Sequence, residues 1–146
     1  MNNPNFAFLK YPTEEVNTPY YSLKVYSVKS FAYVIWFGGI TDEVYRTSMF
    51  QIIEMASRHK IQYLLSDGSE IGSITPETKQ WMMEVLLPQL LKSDIKKIAR
   101  IAYNNYLGFL TNHSLLRAVP DFCGDKALFE LQTFTEIDPA IEWLNF

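Results

Sequence analysis

The sequence predicts an α/β fold, a mixed and mostly parallel sheet of about five strands that opens with a β-hairpin and carries four helices, in the order ββαβαβαβα. Three observations predict it. Short apolar runs of strand length alternate with segments of helical periodicity, the pattern of strand–helix–strand crossovers. Two such runs, Tyr20 to Val28 and Phe31 to Phe37, are separated only by Lys29-Ser30. A two-residue connection makes that pair antiparallel. Cap-forming residues, Thr41 and Thr75 followed by Pro76, stand where the first two helical segments begin.

Each element has its own reason. From Tyr20 to Val28 apolar and polar residues roughly alternate, as in a half-exposed strand, whereas Phe31 to Phe37 is almost wholly apolar and reads as a strand covered on both faces. Gly38-Gly39 breaks it. Thr41 caps the next helix, Asp42 and Glu43 suit its positive end, and Tyr45, Met49, Ile52 and Ala56 recur at helical spacing toward the sheet. Ile61 to Ser66 is the following strand. The second helix has Thr75 as cap and Pro76 at its first position, with Trp81, Met82, Val85, Leu86 and Leu90 apolar. Pro88 removes one backbone hydrogen bond and is expected to kink or end it. Lys97 to Ala102 is another buried strand. Asn104 or Asn105 caps a third helix carrying Leu107, Leu110, Leu115 and Ala118. Phe129 to Phe134 is the last strand, and Asp138-Pro139 is read as the cap and first-turn proline of a short helix with Ile141, Trp143 and Leu144. Residues 1–19, with Pro4, Pro12 and Pro19, are expected to form an N-terminal arm, and 20–146 a single domain.

Composition narrows the function classes. The chain is 48% hydrophobic and 20% charged with a net charge of −3, and its basic residues are scattered rather than arranged in a stripe, which argues against nucleic acid as a partner. One cysteine, Cys123, excludes an internal disulfide and a cysteine-rich metal site. His59 reads as a solvated helix-end residue and His113 as a helix-face residue, which makes no metal site. No cofactor is expected. The most apolar run, Phe31 to Ile40, is far shorter than the ~20 residues that span a bilayer, and the first residues lack the pattern of a secretory signal. A soluble, cytoplasmic protein without a membrane span is the expectation.

The Val34-Ile35-Trp36-Phe37-Gly38-Gly39 strand end, the Thr41-led helix with Tyr45, the strand closing at Asp67, the Ile74-Thr75-Pro76-Glu77 helix entry leading to Trp81 and Pro88, and the terminal Ala140-Ile141-Glu142-Trp143-Leu144 together resemble the STAS-like family. This is the fold of bacterial anti-sigma-factor antagonists. More closely, the chain is similar to small bacterial proteins of unknown role grouped near that family and near the lipid-binding CRAL-TRIO fold. The resemblance covers Tyr20 to Phe146. In the sigma-factor antagonists a serine at the start of the helix after this strand is phosphorylated by a partner kinase, within an Asp-Ser-Ser-Gly-type motif. Here the loop reads Asp67-Gly68-Ser69-Glu70-Ile71-Gly72-Ser73-Ile74-Thr75. It is longer and has no serine pair followed by glycine, which argues against a phosphoserine switch at Ser69 or Ser73.

Candidate binding residues follow from topology, since loops at the carboxyl ends of parallel strands are where such sheets bind ligands. Asp67, Ser69, Ser73 and Thr75 form one such loop, and Tyr103 and Asn104 belong to the neighbouring one. Each also has a structural reading, Asp67 satisfying loop N–H groups and Thr75 acting as cap. No nucleophile elbow, phosphate loop, dinucleotide fingerprint or opposed carboxylate pair is present. The leading expectation is therefore a non-enzymatic interaction or regulatory module that binds a protein partner or itself, with Tyr20 and Tyr26 on an edge strand as a homodimer contact. The alternative is a small-molecule or lipid-binding protein, its apolar ligand held between helices and sheet by Trp81, Met82, Leu86 and Leu110.

Overall fold

The computed structural model describes residues 4–71, 75–102 and 129–146. Six strands, β1 (Glu14–Asn17), β2 (Tyr21–Tyr26), β3 (Phe31–Trp36), β4 (Tyr63–Asp67), β5 (Lys97–Ile101) and β6 (Glu130–Phe134), lie side by side in chain order. The first two pairings are antiparallel and the other three parallel. The class is the one the sequence predicts, with one strand more. That strand, β1, reads Glu-Glu-Val-Asn, and a single apolar residue gives no periodicity to detect. Charged side chains suit an edge, where they discourage pairing with other chains.

Helix α1 (Asp42–Arg58) begins where expected, with Thr41 Oγ1 accepting from the Val44 N–H at 3.2 Å. Helix α2 (Pro76–Trp81) runs directly into a π-helical turn (Met82–Leu86) and then α3 (Leu87–Lys92). Pro88 explains the turn. Its ring would strike the carbonyl of the residue four back in a regular helix. Instead the chain widens, and the Leu87 N–H reaches the Met82 carbonyl five residues back. The expected kink takes this form, and the helix continues through it. Helix α4 (Ile137–Leu144) starts one residue before Asp138, with Glu136 at the cap position making no side-chain bond, so Asp138 sits in the first turn rather than capping it. The predicted third helix, with Asn104, Leu107, Leu110, Leu115 and Ala118, lies outside the described residues, as do His113 and Cys123.

The sheet separates two cores. Leu23, Val34, Trp36, Leu64 and Ile98 face α1 and the α2–α3 helix, while Phe31, Tyr33, Leu65, Ala99 and Ile101 face α4 and an N-terminal 3-10 helix (Pro4–Lys10). The hairpin between β2 and β3 is longer than the expected two residues. Tyr26 pairs with Phe31, leaving a 3-10 turn (Ser27–Lys29) and Ser30 at φ 52° in the left-handed region. A two-residue I′ or II′ loop needs positive φ at its first central position, which the lysine of Lys29-Ser30 disfavours. His59 is not a solvated helix end. Its ring bridges Ser27 Oγ at 2.9 Å and Glu14 Oε2 at 2.5 Å, fastening the end of α1 to the sheet edge.

Tyr26 also departs from expectation. With β1 outside it, β2 is no longer an edge strand, and Tyr26 is only 4% exposed. Its hydroxyl donates to the Leu9 carbonyl at 2.7 Å, and its ring packs on Phe8 and Phe31. Tyr26 therefore offers no dimer contact. Burial, and secondarily the charge of Glu15, pushes its pKa up to about 12. The folded state thus holds this proton more tightly than the unfolded chain, where the phenol titrates near ~10. Stability is untouched below that pH and falls as pH rises from about 10 toward about 12. Urea unfolding at about pH 8 and about pH 10.5 should show Tyr26→Phe losing less stability across the interval than the wild type. Equal losses would show that this phenol is not linked to folding.

Candidate functional site

At the carboxyl end of β4, Asp67 is buried, and its Oδ1 accepts the Ser69 N–H at 3.1 Å and the Ser69 hydroxyl at 2.6 Å. The Gly68 N–H donates to the Ile101 carbonyl at 3.0 Å, tying the loop to the end of β5. Thr75 Oγ1 accepts the Thr78 N–H at 3.2 Å and donates to Asp42 Oδ2 at 2.7 Å. One carboxylate thus serves the starts of two helices, α1 and α2, whose N-terminal dipoles favour negative charge. These bonds match the structural readings of Asp67, which satisfies a loop N–H, and of Thr75, a helix cap worth about 1 kcal/mol, and they make Ser69 the partner of Asp67. Ser73, Tyr103 and Asn104 lie outside the described residues. Trp81 stands apart from the loop, its ring edge-on to Phe50 at 5.5 Å.

A second place lies under the helices. A cavity of about 60 Å³, partly open to solvent, is enclosed by Val34, Leu64 and Ile98 from the sheet, Tyr45, Met49 and Ile52 from α1, and Met82, Met83, Leu86 and Leu90 from the helix that contains the π turn. Of the residues proposed for a ligand, Met82 and Leu86 line it, Trp81 does not, and Leu110 lies outside the described residues. Met82, Met83 and Leu86 stand at i, i+1 and i+4, within about 100° of one another around the helix, and so share one wall.

The cavity floor is not purely apolar. Strand register places Val34, Ser66, Arg100 and Thr133 in one row across β3, β4, β5 and β6. Alternation puts this row on the face shared by Leu64 and Ile98, under the helices. Ser66 and Arg100 line the cavity beside Tyr45. Ser66 Oγ accepts from Trp36 Nε1 at 3.1 Å. The Nη1 of Arg100 and the Oγ1 of Thr133 are buried without a hydrogen-bond partner. Burial lowers the pKa of Arg100 while the neighbouring Tyr45 phenol opposes that effect. Burial raises the pKa of Tyr45, countered by the guanidinium. The site is an apolar chamber with a cationic floor.

A family model described as SpoIIAA-like matches residues 31–145, well over half of the chain. The chain belongs to the SpoIIAA-like family. No curated protein matches it. The SpoIIAA-like segment starts at β3 and contains every residue that lines the cavity. Among the described residues no cluster of histidine, cysteine and carboxylate side chains could hold a metal ion, and no helix is long and apolar enough to cross a membrane.

Sequence reasoning passed over Arg100, Ser66, Tyr45 and Thr133. The signal for Arg100 was present. In Ile98-Ala99-Arg100-Ile101-Ala102 a charged residue interrupts a run otherwise fit for burial on both faces, a position where charge is rarely found without a partner.

Proposed function

We propose that this SpoIIAA-like chain is a non-enzymatic regulatory module that acts by binding a protein partner or a second copy of itself in the cytoplasm. The observation that carries this reading is an aromatic patch on the outer surface of the helices. Phe50 on α1 is 38% exposed and Val85 in the π turn 37%, with the half-buried Trp81 ring between their helices against Phe50. Large apolar side chains grouped on a surface mark association sites more often than scattered ones do. The exposed Tyr20 stands beside Thr47 and Gln51 of α1, and Tyr26 is buried. Backbone amide spectra recorded over a range of protein concentrations test the self-association form. Shifts should centre on Phe50, Trp81 and Val85 and disappear in the Phe50→Ser, Val85→Ser double variant. Concentration-dependent shifts that centre elsewhere would remove this surface from the reading.

A second reading, a small-molecule-binding protein, is favoured by the cavity between helices and sheet. Its apolar walls and few polar groups match the ordinary make-up of ligand sites. Three methionines, Met49, Met82 and Met83, give walls that adapt to a guest.

A further inference from the structure

We infer that the cavity under α1 and the π turn takes a short-chain monocarboxylate, its carboxylate on Arg100 and its apolar tail against Met49, Met82 and Leu86. The inference rests on the small-molecule reading and adds the chemistry of the ligand.

Three observations converge on an anion with an apolar tail. Arg100 lines a chamber whose remaining walls are almost entirely aliphatic, aromatic or thioether. A guanidinium stays charged at any pH the protein meets and presents five N–H donors in a planar fork that matches a carboxylate. Here the donors at Nη1 are buried and have no acceptor. Next to Arg100 in register, Thr133 holds a second buried polar group without a partner, while on the other side Ser66 is engaged by Trp36. Arg100 Nη1 and Thr133 Oγ1 are thus buried atoms without a partner on neighbouring strands, and Arg100 lines the chamber, where a carboxylate supplies the acceptor that its guanidinium lacks. Among the described residues no acidic side chain lines the cavity.

Size narrows the tail. A volume of about 60 Å³ exceeds the room one water requires and is far below that of a long acyl chain. An apolar cavity of about 150 Å³ takes benzene. This chamber as it stands therefore admits only a shorter acid, and one of up to about six carbons enters as the methionine walls yield or its tail reaches the open side. A dicarboxylate would leave its second charge in the apolar chamber, and an amine would set like charge against Arg100.

The test is binding of hexanoate, 1-hexanol and hexylammonium to the full chain carrying methyl-labelled methionine, followed by methyl resonance shifts. Hexanoate should shift the Met49, Met82 and Met83 methyls, hexanol should bind at least tenfold more weakly, and hexylammonium should leave them unmoved. Arg100→Met should weaken hexanoate at least tenfold without weakening hexanol. Arg100→Lys, which keeps the charge but not the planar fork, should weaken hexanoate by a smaller factor and serves if the methionine variant does not fold. Equal affinity for hexanoate and hexanol overturns the carboxylate assignment but keeps a ligand cavity. If none of the three probes moves the methionines, the small-molecule reading falls as well. Hexanoate binding that survives Arg100→Met intact overturns the role of Arg100.

Discussion

Phe31→Ala should cost about 3–5 kcal/mol of folding stability, a large part of the ~5–15 kcal/mol that holds a typical domain together. Phe31 is 0% exposed at the start of β3. Phe146 stacks on it at 4.4 Å with the rings 13° apart, Tyr26 stacks at 5.6 Å, and Phe8 meets it edge-on at 6.1 Å. Tyr26 is its partner across the β2–β3 hairpin, while Phe8 and Phe146 come from the N-terminal 3-10 helix and the C-terminal end, so one ring gathers two segments remote in sequence. A cavity left there cannot be filled by relaxing any one of them. Urea unfolding measures the loss, with Phe37→Ala as control, since Phe37 is exposed and surface changes usually stay within ~0.5 kcal/mol. A loss for Phe31→Ala below about 1.5 kcal/mol would mean that the terminal segments do not pack on β3 in solution.

The same stacking shows what a sequence can and cannot reveal. β3, α1 and the start of α2 were legible because the signal is local. An unbroken apolar run gives β3. Thr41 and Thr75-Pro76 cap helices within three residues of themselves, as their bonds to Val44 and Thr78 confirm. β1 was not legible because Glu14–Asn17 holds a single apolar residue, and the burial of Tyr26 was not because it comes from Phe8 and Leu9 in a segment remote in sequence. His59 is similar. Nothing near it in sequence points to Glu14, 45 residues away. The loop residues Asp67, Ser69 and Thr75 could be placed, but their bonds are mostly to near neighbours in the chain, which is why they read equally well as site or scaffold. The polar row escaped for a geometric reason. Ser66, Arg100 and Thr133 come from three separate strands, and only parallel register sets them side by side.

Arg100→Met should raise the stability of the ligand-free protein by about 1–3 kcal/mol. Arginine cannot shed its charge when desolvated, so the folded state carries the cost of a guanidinium with buried donors that lack an acceptor. Burial lowers its pKa for the same physical reason, and the Tyr45 phenol opposes only part of that effect. Methionine keeps most of the side-chain length, extends a wall that already holds Met49, Met82 and Met83, and removes the unmet donors. Thermal and urea unfolding of ligand-free protein would read the gain directly. A loss of similar size would show that the guanidinium is compensated within the fold, and Arg100 would then be structural. A gain carries the functional argument with it. A residue that weakens the fold where a plain apolar one would strengthen it is held for what it binds, and stabilised proteins commonly lose function at such positions.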